Sequence, residues 1–181
     1  KGWTDTKSFF DRLPARAEGV VREPVWNLSL NSAGICVRFA TDATKIFARW
    51  TLRSESLAMP HMPATGVSGL DLYVKGTDGR FHWLGAGRPE KFPVNTAVLV
   101  DGISQEQHEY ILYLPLYNGV ESVEISIKTD DGIYKAEPRP ADRKPILFYG
   151  TSITQGGCAS RTGMVHTAII GRRLDYPVIN L

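Results

Sequence analysis

The stretch Ile146-Leu147-Phe148-Tyr149-Gly150-Thr151-Ser152-Ile153-Thr154-Gln155-Gly156 sets an unbroken apolar run against a polar turn bounded by glycine. Such a run is what a strand buried on both faces of a parallel sheet requires. The turn after that strand would lie at the carboxyl edge of the sheet, where open α/β folds bind their ligands. Residues 164–174 then read as a helix, with Val165, Ile169 and Arg172 on one side and Ala168 and Ile170 near it, ending before Asp175-Tyr176-Pro177. Val178-Ile179-Asn180-Leu181 is a second apolar run. Strand, turn, helix and strand in this order predict a β-α-β unit over residues 146–181, which needs more sheet than those residues contain.

Upstream, Glu137-Pro138-Arg139-Pro140-Ala141-Asp142-Arg143-Lys144-Pro145 is rich in proline, which prevents a central strand and favours extended backbone. This divides the chain into residues 1–137, a linker over 138–145 and a second unit over 146–181. Arg139, Arg143 and Lys144, beside Glu137 and Asp142, read as a solvated part of that linker. Between residues 20 and 128, short strands alternate with turn signals. Residues 34–40 and 45–52 flank Thr41-Asp42-Ala43-Thr44 and read as a hairpin, the second strand alternating Ile46, Ala48, Trp50 and Leu52 with Lys45, Phe47, Arg49 and Thr51. Residues 70–75 and 80–84 flank Gly76-Thr77-Asp78-Gly79 and predict a second hairpin. Runs at 96–100, 109–114 and 122–128 bring the total to about eight strands, the spacing of a sandwich or jelly roll. A short helical stretch is expected around residues 6–13.

A chain of 181 residues accommodates one ordinary domain with a buried core plus part of a second. Its 43% hydrophobic and 22% charged residues exclude general disorder. No apolar run reaches the roughly 20 residues of a spanning helix, so no membrane partner is expected. The net charge of +2, with scattered basic residues, leaves no electrostatic footprint for nucleic acid. Cys36 and Cys158 fall in different units and read as free thiols, Cys36 as a small apolar residue within a strand. The start, Lys1-Gly2-Trp3, has neither an initiating methionine nor a charged-then-apolar targeting segment. It looks like a mature or trimmed terminus and does not argue against secretion.

A serine hydroxyl becomes a nucleophile when a base removes its proton, and glycines beside it let backbone N–H groups approach an oxyanion. Ser152 meets the positional requirement, although serine and threonine also serve such turns as caps. Gly150-Thr151-Ser152-Ile153-Thr154-Gln155-Gly156 resembles the first conserved block of the SGNH (GDSL-like) hydrolases, in a Gly-x-Ser-Ile-Thr-x-Gly form with Thr151 where many members have Asp. Pro145-Ile146-Leu147-Phe148-Tyr149 and Tyr176-Pro177-Val178-Ile179-Asn180-Leu181 resemble the strands flanking that block. Gly69-Leu70-Asp71-Leu72-Tyr73 resembles the Gly-x-Asp-Leu-Tyr signature of a domain that precedes the hydrolase in one subgroup.

The resemblance implies a jelly-roll-like β-sandwich followed by the first β-α-β unit of a three-layer α/β/α hydrolase domain. It implies a serine esterase acting on a small or carbohydrate-linked ester without metal or cofactor. Ser152 would be the nucleophile and its N–H an oxyanion donor, with Gly156 beside it on the substrate side. The family's second-block glycine, third-block asparagine and late Asp-x-x-His would lie beyond Leu181, leaving residues 1–181 inactive alone. The resemblance also points to a periplasmic or secreted location. Two readings compete with it: a carbohydrate-binding or structural β-sandwich without catalysis, and an acyltransferase using the same serine.

Other residues carry weaker expectations. His166 falls in the helix and does not match the family's catalytic histidine; His61 sits in the loop Met59-Pro60-His61-Met62-Pro63. Asp71 and Tyr73 share one strand face with Gly69, where hydrogen bonding to a loop or a domain interface is expected. Arg53 and Glu55 form a local ion pair or line an interdomain cleft. Trp26, Trp50, Trp83, Tyr113 and Tyr117 are expected chiefly in the core, with a sugar-stacking platform as the alternative. The incomplete sheet predicts self-association through its unpaired strand edges.

Overall fold

The computed structural model describes residues 4–181; the start Lys1-Gly2-Trp3 lies outside the described residues. Residues 6–13, expected as helical, are bends and turns. The first α-helix is α1 (Glu23–Ser29), where Pro24 occupies a first-turn position that asks for no N–H. Eight strands follow: β1 (Cys36–Thr41), β2 (Lys45–Leu52), β3 (Leu70–Lys75), β4 (Phe81–Gly87), β5 (Val94–Asp101), β6 (His108–Tyr113), β7 (Val120–Ser126) and β8 (Ile133–Lys135), with the short helix α2 (Ala64–Val67) before β3.

They form two antiparallel sheets, β4-β3-β6-β1-β8 and β5-β2-β7. β3 and β4 make the expected hairpin, closed by the Gly76 N–H to Arg80 O bond and by Gly79 at φ +74°. β1 and β2 do not pair and belong to different sheets, so residues 41–44 are a crossing between layers, not a hairpin turn. Side chains fix that corner. Thr41 Oγ1 accepts the Ala43 N–H and donates to Gly132 O, and Asp42 accepts the Gly132 N–H. A polar tetrapeptide between two strands fits either connection, and only the partners around residue 132 decide.

The alternation read in β2 holds: Ile46, Ala48, Trp50 and Leu52 are buried and meet Phe39, Leu70, Leu72, Leu99, Leu112 and Val120 between the sheets. Trp50, fully buried with its indole N–H on Ser68 O, anchors this layer. Truncating such a side chain costs about 3–5 kcal/mol. β3 and β6 are buried on both faces. Their second face joins Tyr73, Ile111 and Tyr113 to Met62, Val67, Leu116, Val165 and Ala168. The five-stranded sheet is therefore the middle layer, covered on its far side by the C-terminal segment.

That segment holds β9 (Ile146–Phe148), α3 (Ser152–Gln155), α4 (His166–Leu174) and β10 (Val178–Asn180), with β10 parallel to β9. The apolar run expected to be buried on both faces is open on one: Leu147 is 58% and Tyr149 85% exposed, because no layer of the described residues covers that face, and β9 has β10 as its sole strand neighbour among them. The basic group of residues 139–144 is not merely solvated. Arg139 and Arg143 both reach the Asp175 carboxylate, at 3.0 and 2.8 Å, behind the C-terminus of α4.

Candidate active site

The chain leaves β9 and turns into α3 with Thr151 still extended (φ −104°, ψ −158°), so Ser152 is the first helical residue. Glycine is required at both ends of this turn. A Cβ at Gly150 would strike the Thr154 hydroxyl, and Gly156 closes the helix at φ +122° with Leu116 Cδ1 2.7 Å from where its Cβ would stand.

The Ser152 carbonyl accepts three hydrogen bonds, from the Gly156 N–H (3.0 Å), the Gly157 N–H (2.7 Å) and the Tyr117 hydroxyl (2.9 Å). Its side chain is exposed. Its own N–H, at the first position of a helix, has no acceptor among the described residues. An exposed hydroxyl beside a free amide on a fixed backbone is an arrangement suited to acyl transfer. The Gly156 N–H is already engaged by the serine carbonyl, so in this arrangement Gly156 shapes the turn.

Gln155, the last residue of α3, is buried; its Nε2 donates to Leu116 O and its Oε1 accepts from Arg12 Nη2, both at 3.0 Å. Arg12 also donates to Leu28 O (2.6 Å), Asn31 O (3.1 Å) and Asn180 O (3.3 Å). Burial brings the pKa of this guanidinium down to about 10, which leaves it charged at neutral pH among carbonyl oxygens. Arg12 thus ties the N-terminal segment to the buried end of the serine turn. Its neighbour Asp11 takes Arg53 at 2.7 Å, so the partner of Arg53 is distant in sequence and Glu55 remains exposed. Nothing in the sequence of residues 6–13 announces Arg12, because one arginine in a polar stretch looks like any solvated cation.

The loop from Gly156 to Val165 is held by the sandwich. Thr65 Oγ1 donates to Ser160 O (2.6 Å) and Thr162 Oγ1 to Tyr113 O (3.2 Å). Asp71, fully buried, accepts four donors: the Trp83 indole N–H (2.8 Å) and Arg161 Nε (3.3 Å) on Oδ1, the Gly163 N–H (3.0 Å) and the Tyr73 hydroxyl (3.1 Å) on Oδ2. Asp71 and Tyr73 share a face, and that face is the interface.

The remaining candidates lie apart from Ser152. His166 is exposed, its ring edge-on to Phe148 at 5.8 Å, and among the described residues it makes no hydrogen bond to Ser152. His61 is exposed in a loop that the backbone bonds of Met59 and Met62 close on itself. Trp26, Trp50 and Tyr113 are buried, whereas Trp83 is 52% exposed. Both cysteines are free. Cys36 is not packed like an apolar strand residue; it faces a cavity of about 390 Å³ shared by Arg12, Tyr113, Arg139 and Asn180. Among the described residues no three His, Cys, Asp or Glu side chains gather to hold a metal, and no helix is long and apolar enough to cross a membrane.

Two antiparallel sheets are thus packed on a segment that raises a serine at a strand-to-helix turn. Residues 1–133 match the family described as GxDLY, the N-terminus of Esterase_SGNH_hydro-type, and the chain belongs to that family. Residues 143–181 match the GDSL-like lipase/acylhydrolase family. Among solved structures, one described as a GDSL-like lipase from Bacteroides ovatus ATCC 8483 is 36% identical with a TM-score of 0.89, covering 98% of this chain and 51% of its own. A salicylyl-acyltransferase from a tetracycline biosynthetic pathway is 17% identical (TM-score 0.65, 93% of this chain and 45% of that one). A family two carbohydrate esterase from Clostridium thermocellum, in complex with cellohexaose, is 19% identical (TM-score 0.56, 81% and 43%). The last two likenesses concern the fold alone. This chain spans 51% or less of the length of each of these structures. No curated protein matches it.

Proposed function

We propose that the chain is the N-terminal part of a serine esterase, in which Ser152 takes an acyl group from a small or carbohydrate-linked ester and passes it to water. On this reading residues 1–137 are the β-sandwich, 138–145 the linker, and 146–181 the first β-α-β unit of a three-layer hydrolase domain. The parallel pairing of β9 and β10 about α4 supports that assignment.

The observation that carries the reading is the state of Ser152: an exposed side chain and a free N–H on a backbone whose carbonyl is held by three donors. Ser152 Oγ attacks the ester carbonyl carbon as a base takes its proton, and the tetrahedral oxyanion forms within reach of the Ser152 N–H. The oxyanion collapses, the alcohol leaves with that proton, and water then releases the acid from the acyl-serine. On this reading the base comes from residues other than those described, and Gly156 holds the turn that carries the serine.

In a longer form of the protein, Ser152→Ala is expected to lower p-nitrophenyl acetate hydrolysis by at least about 10³-fold, the scale for loss of a nucleophile. Unchanged hydrolysis would remove the assignment. Adding an alcohol acceptor and analysing the products separates hydrolysis from acyl transfer. Of the aromatics that a sugar platform would use, Trp26, Trp50 and Tyr113 are buried, and Trp83 and Tyr117 are the two left accessible.

A further inference from the structure

Asp71 is the one fully buried carboxylate shared by β3 and the loop that follows the serine turn. Trp83 and Tyr73 contribute donors from the sandwich; Arg161 and the Gly163 N–H contribute donors from the loop. All four partners give hydrogen, and none but the tyrosine oxygen could accept one, so the bonding pattern suits the carboxylate anion.

That anion is costly. Burial pushes the Asp71 pKa up from the ordinary carboxylate range, against the opposing pull of Arg161, Trp83, Gly163 and Tyr73. The arginine contact is single and at 3.3 Å, and the guanidinium lies over the Trp83 ring at 4.7 Å from its centroid. A seam that served stability alone would do as well with apolar residues of the same volume. What the carboxylate adds is direction, because it fixes two successive parts of one loop relative to β3. The fit is close: a Cβ on Gly163 would meet Tyr73 Cε2, and would stand 2.8 Å from Asp71 Oδ2.

The same loop begins at Gly156 and Gly157, whose N–H groups hold the Ser152 carbonyl. We propose that Asp71 is a positioning residue for Ser152, transmitting the orientation of the β-sandwich through the Arg161–Gly163 turn to the backbone of the nucleophile. The catalytic half of this inference rests on the esterase reading above; the structural half does not. The sandwich is then a working part of the active site, setting the angle at which the serine meets its ester.

Amide hydrogen exchange on this chain tests the structural half. In Asp71→Asn, which keeps the size of the side chain but presents N–H groups to donors, exchange over residues 156–165 is expected to rise at least tenfold. Exchange over β2, in the sandwich core, should stay within twofold. No change in the loop, or an equal rise in both segments, would overturn the proposal. The catalytic half is read in the longer form with p-nitrophenyl acetate: kcat falls at least tenfold while KM stays within about twofold, the pattern of misplaced chemistry at intact binding. A loosened loop with unchanged kcat would overturn the positioning role. If the wild-type longer form hydrolyses no ester, the esterase reading fails, and the exchange experiment still decides whether Asp71 holds the loop.

Discussion

Tyr110 shows how a single side chain sets a pH limit on this fold. It lies fully buried, stacked on Phe39 at 5.2 Å, and its hydroxyl has no hydrogen-bond partner among the described residues. Burial raises its pKa from 10.0 to about 12. The unfolded chain therefore loses this proton before the folded one does. The contribution of Tyr110 to stability is whole below about pH 10 and is lost as the pH rises toward 12. Tyr110→Phe is expected to change stability at pH 7 by no more than about 1 kcal/mol, since it removes an unmade bond. It should also make the fall in stability between pH 10 and 12 shallower, as urea denaturation at a series of pH values would show. At this scale the sequence was informative where local geometry decides. The spacing of Gly150, Ser152 and Gly156 encodes a strand-to-helix turn in the chain itself. Arg12 owes its surroundings to residues 16 to 168 positions away, and no local pattern marks it. Asp71 stands in the Gly69–Tyr73 signature, but its loop partners Arg161 and Gly163 lie 90 and 92 positions away.

Elements were legible where one face met one environment. β2 alternates because one side packs between the sheets; β3 and β6 do not, because the C-terminal segment covers their second side. The clamp at the end of α4 depends on the same long-range contacts. Asp175, at φ +52°, closes the helix and receives Arg139 and Arg143. Partial burial alone would raise its pKa, but the bond and charge of Arg139, with Lys75 and Arg143, hold it below the ordinary carboxylate value. A depressed carboxylate pKa gives stability that is present above the unfolded value and lost as the pH falls through the folded one. Amide exchange over residues 166–181 is thus expected to accelerate as the pH drops below the usual aspartate range, after correction for intrinsic exchange rates. In Asp175→Asn it should be fast already at neutral pH and change little with acid. A wild-type profile that matched the variant throughout would show that the clamp holds nothing.

At the scale of the whole molecule, the sandwich could be read from strand spacing, whereas its middle-layer position could not. Strand patterns report which side chains avoid water and are silent about which layer covers them, so Tyr113 looked like an ordinary core residue and is interface, whereas Tyr73 was expected at an interface from its place in the signature. The converse holds for β9, whose apolar run suggested burial on both sides but leaves Leu147 and Tyr149 open and one edge without a partner among the described residues. An unpaired apolar strand edge is a template for another chain. Sedimentation velocity on this chain should show a rise in average mass as the concentration is increased through tens of micromolar. Replacing Leu147 and Tyr149 together by lysine should suppress that rise, because charge on an edge strand opposes pairing while both positions already face solvent. The Asp71 and Arg12 contacts lie on the other side of the segment, so the double variant should retain the exchange protection of residues 156–165. A monomer at every concentration in the unmodified chain would mean that the open edge of β9 is not adhesive, and the self-association expected from the sequence would then have to be abandoned.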